Sequence, residues 1–170
     1  MTEIIPNDTD VVFHCAATAY EGLSVFSPSF ITKNIFEATV STVTASIRRK
    51  VKKFIFCSSM ARYGGQKSPF EENMDTKPED PYGIAKAAAE DVVKNLCSTH
   101  KVDWTILVPH NIVGPRQKYD DPYRNVMSIF LNKMMQNEQI YIYGDGLQKR
   151  CFSYVDDCID CMEKCINLDK

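Results

Sequence analysis

The sequence predicts a parallel α/β sheet with helices on both faces. Three observations predict it. Short apolar runs alternate with stretches of helical period. The runs are apolar throughout rather than every second residue, as strands buried on both faces are. The composition, 170 residues with 44% hydrophobic and 25% charged, supplies one globular core and no more.

Val11-Val12-Phe13-His14-Cys15-Ala16-Ala17 reads as the first strand, entered from the polar Asn7-Asp8-Thr9-Asp10. A helix is expected from about Pro28 to Arg49, against the β-branched Thr39, Val40, Thr42, Val43 and Thr44. The basic run from Arg48 to Lys53 suits a solvated helix end, where cations meet the dipole. Lys53 to Ser59 is the second strand, apolar until it ends in hydroxyls. Gly64 to Pro81 is turn-rich and acidic, a long loop of the kind that carries function. Gly83 to Thr99 is an Ala-rich helix, and Trp104 to Val108 a third strand. An irregular loop is expected from His110 to Arg124 and a helix from Asn125 to Gln136. Then come a strand from Gln139 to Tyr143, a Gly144-Asp145-Gly146 turn, a strand from Cys151 to Val155, and a last helix from Asp156 capped by Asp156 or Ser153.

Charge and composition exclude several functions. A net charge of −2 gives no field to hold nucleic acid or an anionic membrane. No apolar run is long enough to span a bilayer, and the first residues lack a signal peptide's pattern, so the expectation is a soluble cytoplasmic domain. The seven cysteines are expected to be reduced. Cys158, Cys161 and Cys165 match a metal-ligand spacing, but i, i+3, i+7 is also one helix face, widened by Ile159, Met162 and Ile166, and no metal is assigned.

In parallel sheets ligands sit beyond the carboxyl ends of the strands. Those ends here read H-C-A-A, C-S-S and V-P-H-N. Tyr82 and Lys86 form a Y-x-x-x-K pair at the start of a helix, so both lie on one face. A lysine there is expected to favour the phenolate. Tyr63 and Lys67 repeat the spacing, but Gly64-Gly65 breaks the helix between them.

The ordered series V-V-F-H-C-A-A, F-I-F-C-S-S-M-A-R-Y-G, P-Y-G-I-A-K, V-P-H-N-I-V-G-P-R-Q and Y-G-D-G-L-Q-K-R-C-F-S-Y-V-D-D resembles the NAD-dependent epimerase/dehydratase family of extended short-chain dehydrogenase/reductases, its UDP-glucose 4-epimerases most of all. The resemblance implies a partial Rossmann-type parallel sheet plus part of a small substrate-binding region. It implies NAD as cofactor, a nucleotide sugar (a UDP-sugar) as substrate, and a homodimer built on the helices near 28–49 and 83–99. Tyr82 would be the base, Lys86 its electrostatic partner and Ser59 the hydroxyl that holds the sugar. Cys15, Ala16, Ala17, Asn34, Ser58, Tyr82, Lys86 and Pro109 would line the cofactor. Ser59, Asn111, Asn125, Tyr143 and Arg150 would bind the substrate.

Met60 and Ala61 stand where related dehydratases carry an Asp-Glu pair, and related decarboxylases put Glu at the place of Ala61. That favours epimerisation through a transient 4-keto sugar over dehydration or decarboxylation. Val113 and Val108 also depart from the family pattern, which has Tyr and Arg there. No G-x-x-G-x-x-G occurs in the chain. By resemblance, residues 1–170 are expected to be one domain incomplete at both ends, lacking the first βαβαβ unit. They are read as a fragment of an enzyme or, alternatively, as a non-catalytic binding protein.

Overall fold

The structure, a computed structural model, describes residues 4–168. β1 (Val11–His14), β2 (Lys53–Cys57) and β3 (Asp103–Leu107) form a parallel sheet in that order, with Val11 opposite Lys53 and Lys53 opposite Asp103. The expected strands are present, each cut back to the residues that pair. β1 has no second partner strand among the described residues, and Phe13 is 38% exposed there.

The long helix expected from Pro28 to Arg49 is one helical path in three pieces. After a short α1 (Glu21–Ser24), α2 (Pro28–Thr32) runs into a π-helical turn (Lys33–Glu37) and then α3 (Ala38–Arg48). The β-branched residues do not break it. Thr39 and Thr42 turn their hydroxyls back onto the carbonyls of Ile35 and Ala38, at 2.6 and 2.8 Å. Lys50, at φ 57°, ends the path.

α4 (Pro81–His100) begins two residues earlier than its alanine content indicates. Asp80 caps it, accepting from the Gly83 N–H at 2.9 Å, and Pro81 sits at the first helical position, where its missing N–H costs nothing. Between β2 and α4 lies a 3₁₀ turn, Met60–Tyr63. Gly64 follows at φ 56°, where a Cβ would lie 2.0 Å from the Lys77 carbonyl oxygen. Only glycine fits that position.

One face of the sheet packs Phe54 and Phe56 against Val43 of α3 and Ala89, Val93 and Cys97 of α4. On the other face α6 (Val155–Ile166) approaches, with Lys53 Nζ donating to the Leu168 carbonyl. Helices therefore cover both faces, as expected.

The C-terminal third departs most from expectation. Ile112–Val113 (β4) lies inside the supposed loop and pairs in parallel with Ser153–Tyr154 (β5). α5 (Val126–Met135) is present. Gln139 to Tyr143 is not a strand. Tyr141, Ile142 and Tyr143 are 58, 66 and 83% exposed, and the segment pairs with neither sheet. Neither Ser153 nor Asp156 caps α6. Ser153 is paired in β5, and Tyr154 is the cap residue without a side-chain bond. Asp156 lies inside the first turn, where its carboxylate favours the helix dipole. Cys158, Cys161 and Cys165 lie on this helix, with Cys165 buried. Among the described residues no group of three metal-ligating side chains is gathered. Nor is any helix of the described residues long and apolar enough to cross a membrane.

Two buried polar groups set testable stabilities. Glu90 is fully buried, 2.8 Å from Arg62 Nη1, and accepts from the Ser58 hydroxyl. Glu90→Ala strands Arg62 in the interior and should cost about 3–5 kcal/mol in urea denaturation. His14 is 5% exposed, and its Nε2 lies 3.0 Å from Thr39 Oγ1. Because that hydroxyl already donates to Ile35, His14 is the donor. Burial, then the Lys86 cation, lowers its pKa to about 4 from 6.5. Between those values the unfolded chain binds a proton that the folded chain refuses, so stability falls as the pH drops through that window, by up to about 3 kcal/mol. A His14→Gln chain should lose correspondingly less between pH 7 and pH 4 in the same denaturation.

Candidate active site

The end of β2 and the first turns of α4 meet at the carboxyl edge of the sheet. After Cys57 the chain continues through Ser58, whose N–H donates to the Leu107 carbonyl at 2.7 Å and whose hydroxyl is bound to Glu90. Ser59 then opens the 3₁₀ turn as its cap, accepting from the Ala61 N–H at 3.2 Å. This turn lies against the start of α4. A Cβ on Gly83 would lie 2.7 Å from the Ala61 carbonyl oxygen and 3.0 Å from Pro78 Cβ. The bare glycine permits the contact, which brings the start of α4 and Tyr82 against the turn that carries Ser59. Ile31, Ile35 and Ala85 pack around the Tyr82 ring.

One turn along α4, Lys86 is 3% exposed. Its Nζ donates to the Cys57 carbonyl at 2.6 Å and stands 5.0 Å from the centre of the Phe56 ring. Burial lowers its pKa to about 8, against the opposing pull of Cys57, Cys15 and Glu90. Ser59, Tyr82 and Lys86 thus converge. Tyr63 and Lys67 lie apart: Tyr63 is buried, donates to the Glu71 carbonyl and stacks on Phe70, while Lys67 is exposed.

The expected lowering of the Tyr82 pKa is not found. Burial raises it; the nearby Ser59 hydroxyl opposes the rise, while the Glu21 and Asp80 carboxylates add to it. Helical spacing puts Lys86 on the right face, but its ammonium is turned onto the Cys57 carbonyl.

Of the other residues expected to line a cofactor, Cys15 and Ala16 are exposed just beyond β1, and Ala17 packs beside the Tyr82 cluster. Asn34 lies in the π-helical turn and spends its amide on the Phe30 carbonyl, at 2.8 Å. Pro109 is half-buried after β3. The expected substrate residues are less gathered. Asn111, at φ 41°, donates to the Cys151 carbonyl at 3.0 Å, which brings it next to Arg150 in the chain. Arg150 is exposed and acts electrostatically on His110 and Glu21. Asn125 caps α5 through the Met127 N–H. Tyr143 points away into solvent, 83% exposed.

Sequence reasoning missed Glu90 and Glu21. Glu90 had a signal: it follows Ala87-Ala88-Ala89 four residues after Lys86, an acid on the helix's buried face. Glu21 had none, since only the fold brings α1 to α4.

A parallel Rossmann-type sheet with Ser59, Tyr82 and Lys86 at its carboxyl edge is the architecture of a short-chain dehydrogenase/reductase. The NAD dependent epimerase/dehydratase family model matches residues 1–169, and the chain belongs to that family. It is 34% identical over 169 residues to the UDP-N-acetyl-alpha-D-glucosaminuronate decarboxylase of Bacillus cytotoxicus, covering 94% of this chain and 50% of the relative. It is 31% identical over 155 residues to the UDP-glucose 4-epimerase of Mycolicibacterium smegmatis, covering 89% and 49%. The UDP-glucuronic acid 4-epimerase of Bacillus cereus, solved with UDP-glucuronic acid and NAD, superposes with a TM-score of 0.88 at 28% identity, over 99% of this chain and 52% of that one. The chain spans about half the length of the curated relatives it matches.

The Lys86 environment is directly measurable. In NMR of ¹³C-methylated lysines, Lys86 should titrate near 8, while solvated lysines titrate near 10.4. A midpoint above 10 would place the ammonium in water, not under Cys57.

Proposed function

We propose that the chain carries the proton-handling and substrate-binding part of an NAD-dependent nucleotide-sugar 4-epimerase that acts on a UDP-sugar. The observation that carries this reading is the placement of Tyr82 and the buried Lys86 one helical turn apart on α4, facing the turn that Ser59 opens at the end of β2. The residues fit the nicotinamide end of the cofactor. Cys15 and Ala16 are small and exposed at the strand end, and only one of the three Lys86 N–H donors is used, by Cys57. NAD, when bound, supplies the hydride acceptor that turns a sugar carbinol into a ketone.

The chain's own part is proton transfer. Ser59 holds the sugar hydroxyl, and ionised Tyr82 takes its proton. After the keto sugar turns over, Tyr82 returns the proton to the sugar oxygen, and the carbon would regain its hydride on the opposite face. Because burial and the neighbouring carboxylates raise the Tyr82 pKa, ionisation limits this step, and the rate rises with pH towards the alkaline side. Met60 and Ala61 offer no carboxyl group for eliminating water or assisting loss of carbon dioxide, which separates this reading from a dehydratase or decarboxylase. Asn111 and Arg150 serve the diphosphate, Arg150 through the paired N–H groups of its guanidinium. Asn125 and Tyr143 lie beside the nucleotide in the same reading, and Asn34, Ala17, Ser58 and Pro109 border the cofactor.

A homodimer through α2–α3 and α4 and a cytoplasmic location belong to the proposal. Phe30 and Ile84, both 54% exposed, lie on those helices. A second reading, nucleotide-sugar binding without turnover, is favoured by the burial that holds the proton on Tyr82.

The test is conversion of UDP-glucose to UDP-galactose with NAD, followed by proton NMR of the anomeric signals. Tyr82→Phe should lower turnover by about 10²–10⁴-fold and leave UDP affinity by calorimetry unchanged. Affinity lost together with turnover would assign Tyr82 to binding. UDP binding with no turnover in the unaltered protein would favour the second reading.

A further inference from the structure

Cys15 and Cys57 stand opposite each other in the continued β1–β2 register, one residue beyond the His14–Phe56 pair, with their sulfurs 3.5 Å apart. Their exposures differ: Cys15 is open to solvent and Cys57 is buried. The Lys86 ammonium, bonded to the Cys57 carbonyl, acts on both sulfurs. We infer that Cys15 and Cys57 form a peroxide-reactive dithiol, in which Cys15 meets the oxidant and Cys57 resolves it to a disulfide. This goes beyond the epimerase reading and holds whether or not the protein turns over a sugar.

The geometry assigns the order of events. Only Cys15 is accessible, so it meets the oxidant first. It is also the more acidic sulfur. The hydrogen bond from Cys57 brings its pKa down to about 6, with Lys86 adding to this against burial. Cys57 is pushed up, first by that same bond and then by burial and the Cys15 charge, with Cys158 of α6 acting in the same direction. The Cys15 thiolate attacks hydrogen peroxide; the O–O bond breaks, hydroxide leaves, and the sulfur, two electrons poorer, becomes a sulfenic acid. The Cys57 sulfur then attacks the Cys15 sulfur. An S–S bond forms, the S–O bond breaks, and the hydroxyl leaves with the Cys57 proton as water. Two thiols and one peroxide give one disulfide and two waters. Closing 3.5 Å to a bonded 2.05 Å requires about 1.5 Å of movement, available because Cys15 lies past the last residue of β1.

The experiment uses the 170-residue chain without cofactor. At pH 6 a thiol at its midpoint is about half thiolate, against about 0.3% for an ordinary one. Its weaker intrinsic nucleophilicity removes roughly tenfold of that advantage. Iodoacetamide should therefore modify Cys15 about tenfold faster than the exposed Cys151 and Cys161, read by peptide mass spectrometry. Stoichiometric peroxide should give a Cys15–Cys57 cross-linked peptide that dithiothreitol releases. In the Cys57→Ser chain, dimedone should label Cys15 instead. Equal alkylation rates would overturn the proposal. So would peroxide linking Cys57 to Cys158 while Cys15 stays reduced.

Discussion

The bond from the Lys86 ammonium to the Cys57 carbonyl fixes most of what surrounds it. A lysine buried this deeply needs compensation, and here it has one carbonyl oxygen and the face of Phe56. Both belong to the end of β2, so the helix cannot rotate or slide along the sheet without uncovering the charge. Tyr82 lies one turn before Lys86 and Glu90 one turn after, on the same face. Glu90 grips Ser58 and Arg62, a second tie from the same helix to the same strand end. The close contact at Gly83 then sets the distance between Tyr82 and the turn carrying Ser59. One helix face, anchored twice, thereby positions three side chains that lie as far apart in sequence as Ser59 and Lys86.

What the sequence made legible follows from this arrangement. Strand centres and the long α4 were readable because fully apolar runs and an alanine-rich helix have few alternatives. Tyr82 and Lys86 were readable as a pair because spacing determines a shared face. Spacing does not determine where an ammonium points, and so the effect of Lys86 on the Tyr82 phenol was misjudged. The carboxylates that raise Tyr82, from Glu21 and Asp80, reach it only through the packing of α1 and the cap of α4. The segment from Gln139 to Tyr143 failed for a different reason. A strand pattern states readiness to pair, while the partner is a property of the fold, and this segment lies along neither sheet. β4 was missed because two residues of pairing are too few to leave a periodic signal.

The two halves of the candidate site are held in different ways. In the proposed reading, proton handling rests on buried, multiply bonded groups in the main core and recognition on the smaller β4–β5 region, where residues 141–150 are exposed. That region is tied down at a few points. The Asn111 amide holds the Cys151 carbonyl, and Tyr20, Asp121 and Arg124 join the loop before α1 to the loop before α5. Gly114 lies so close to α6 that a Cβ there would stand 2.4 Å from Val155 Cγ1. Groups that must grip a polar ligand keep their donors free by staying out of the core. Arg150 fits that description best, with one guanidinium nitrogen on the Lys149 carbonyl and the rest exposed, whereas Asn111 gives its amide to the Cys151 carbonyl and Asn125 its side-chain oxygen to a helix cap.

The electrostatics of the core half point to a division of labour between protein and ligand. Burial first, and then the Glu21 and Asp80 carboxylates, make the Tyr82 phenol hold its proton more tightly than one in water. Arg150 already offsets part of the Glu21 effect from the recognition side. Positive charge brought to this edge moves the phenol towards ionisation, opposite to the pull of the two carboxylates. In the proposed reaction, proton transfer would become easier as the site fills. For the proposed epimerisation, Met60 and Ala61 offer no carboxyl group that would divert the reaction into elimination.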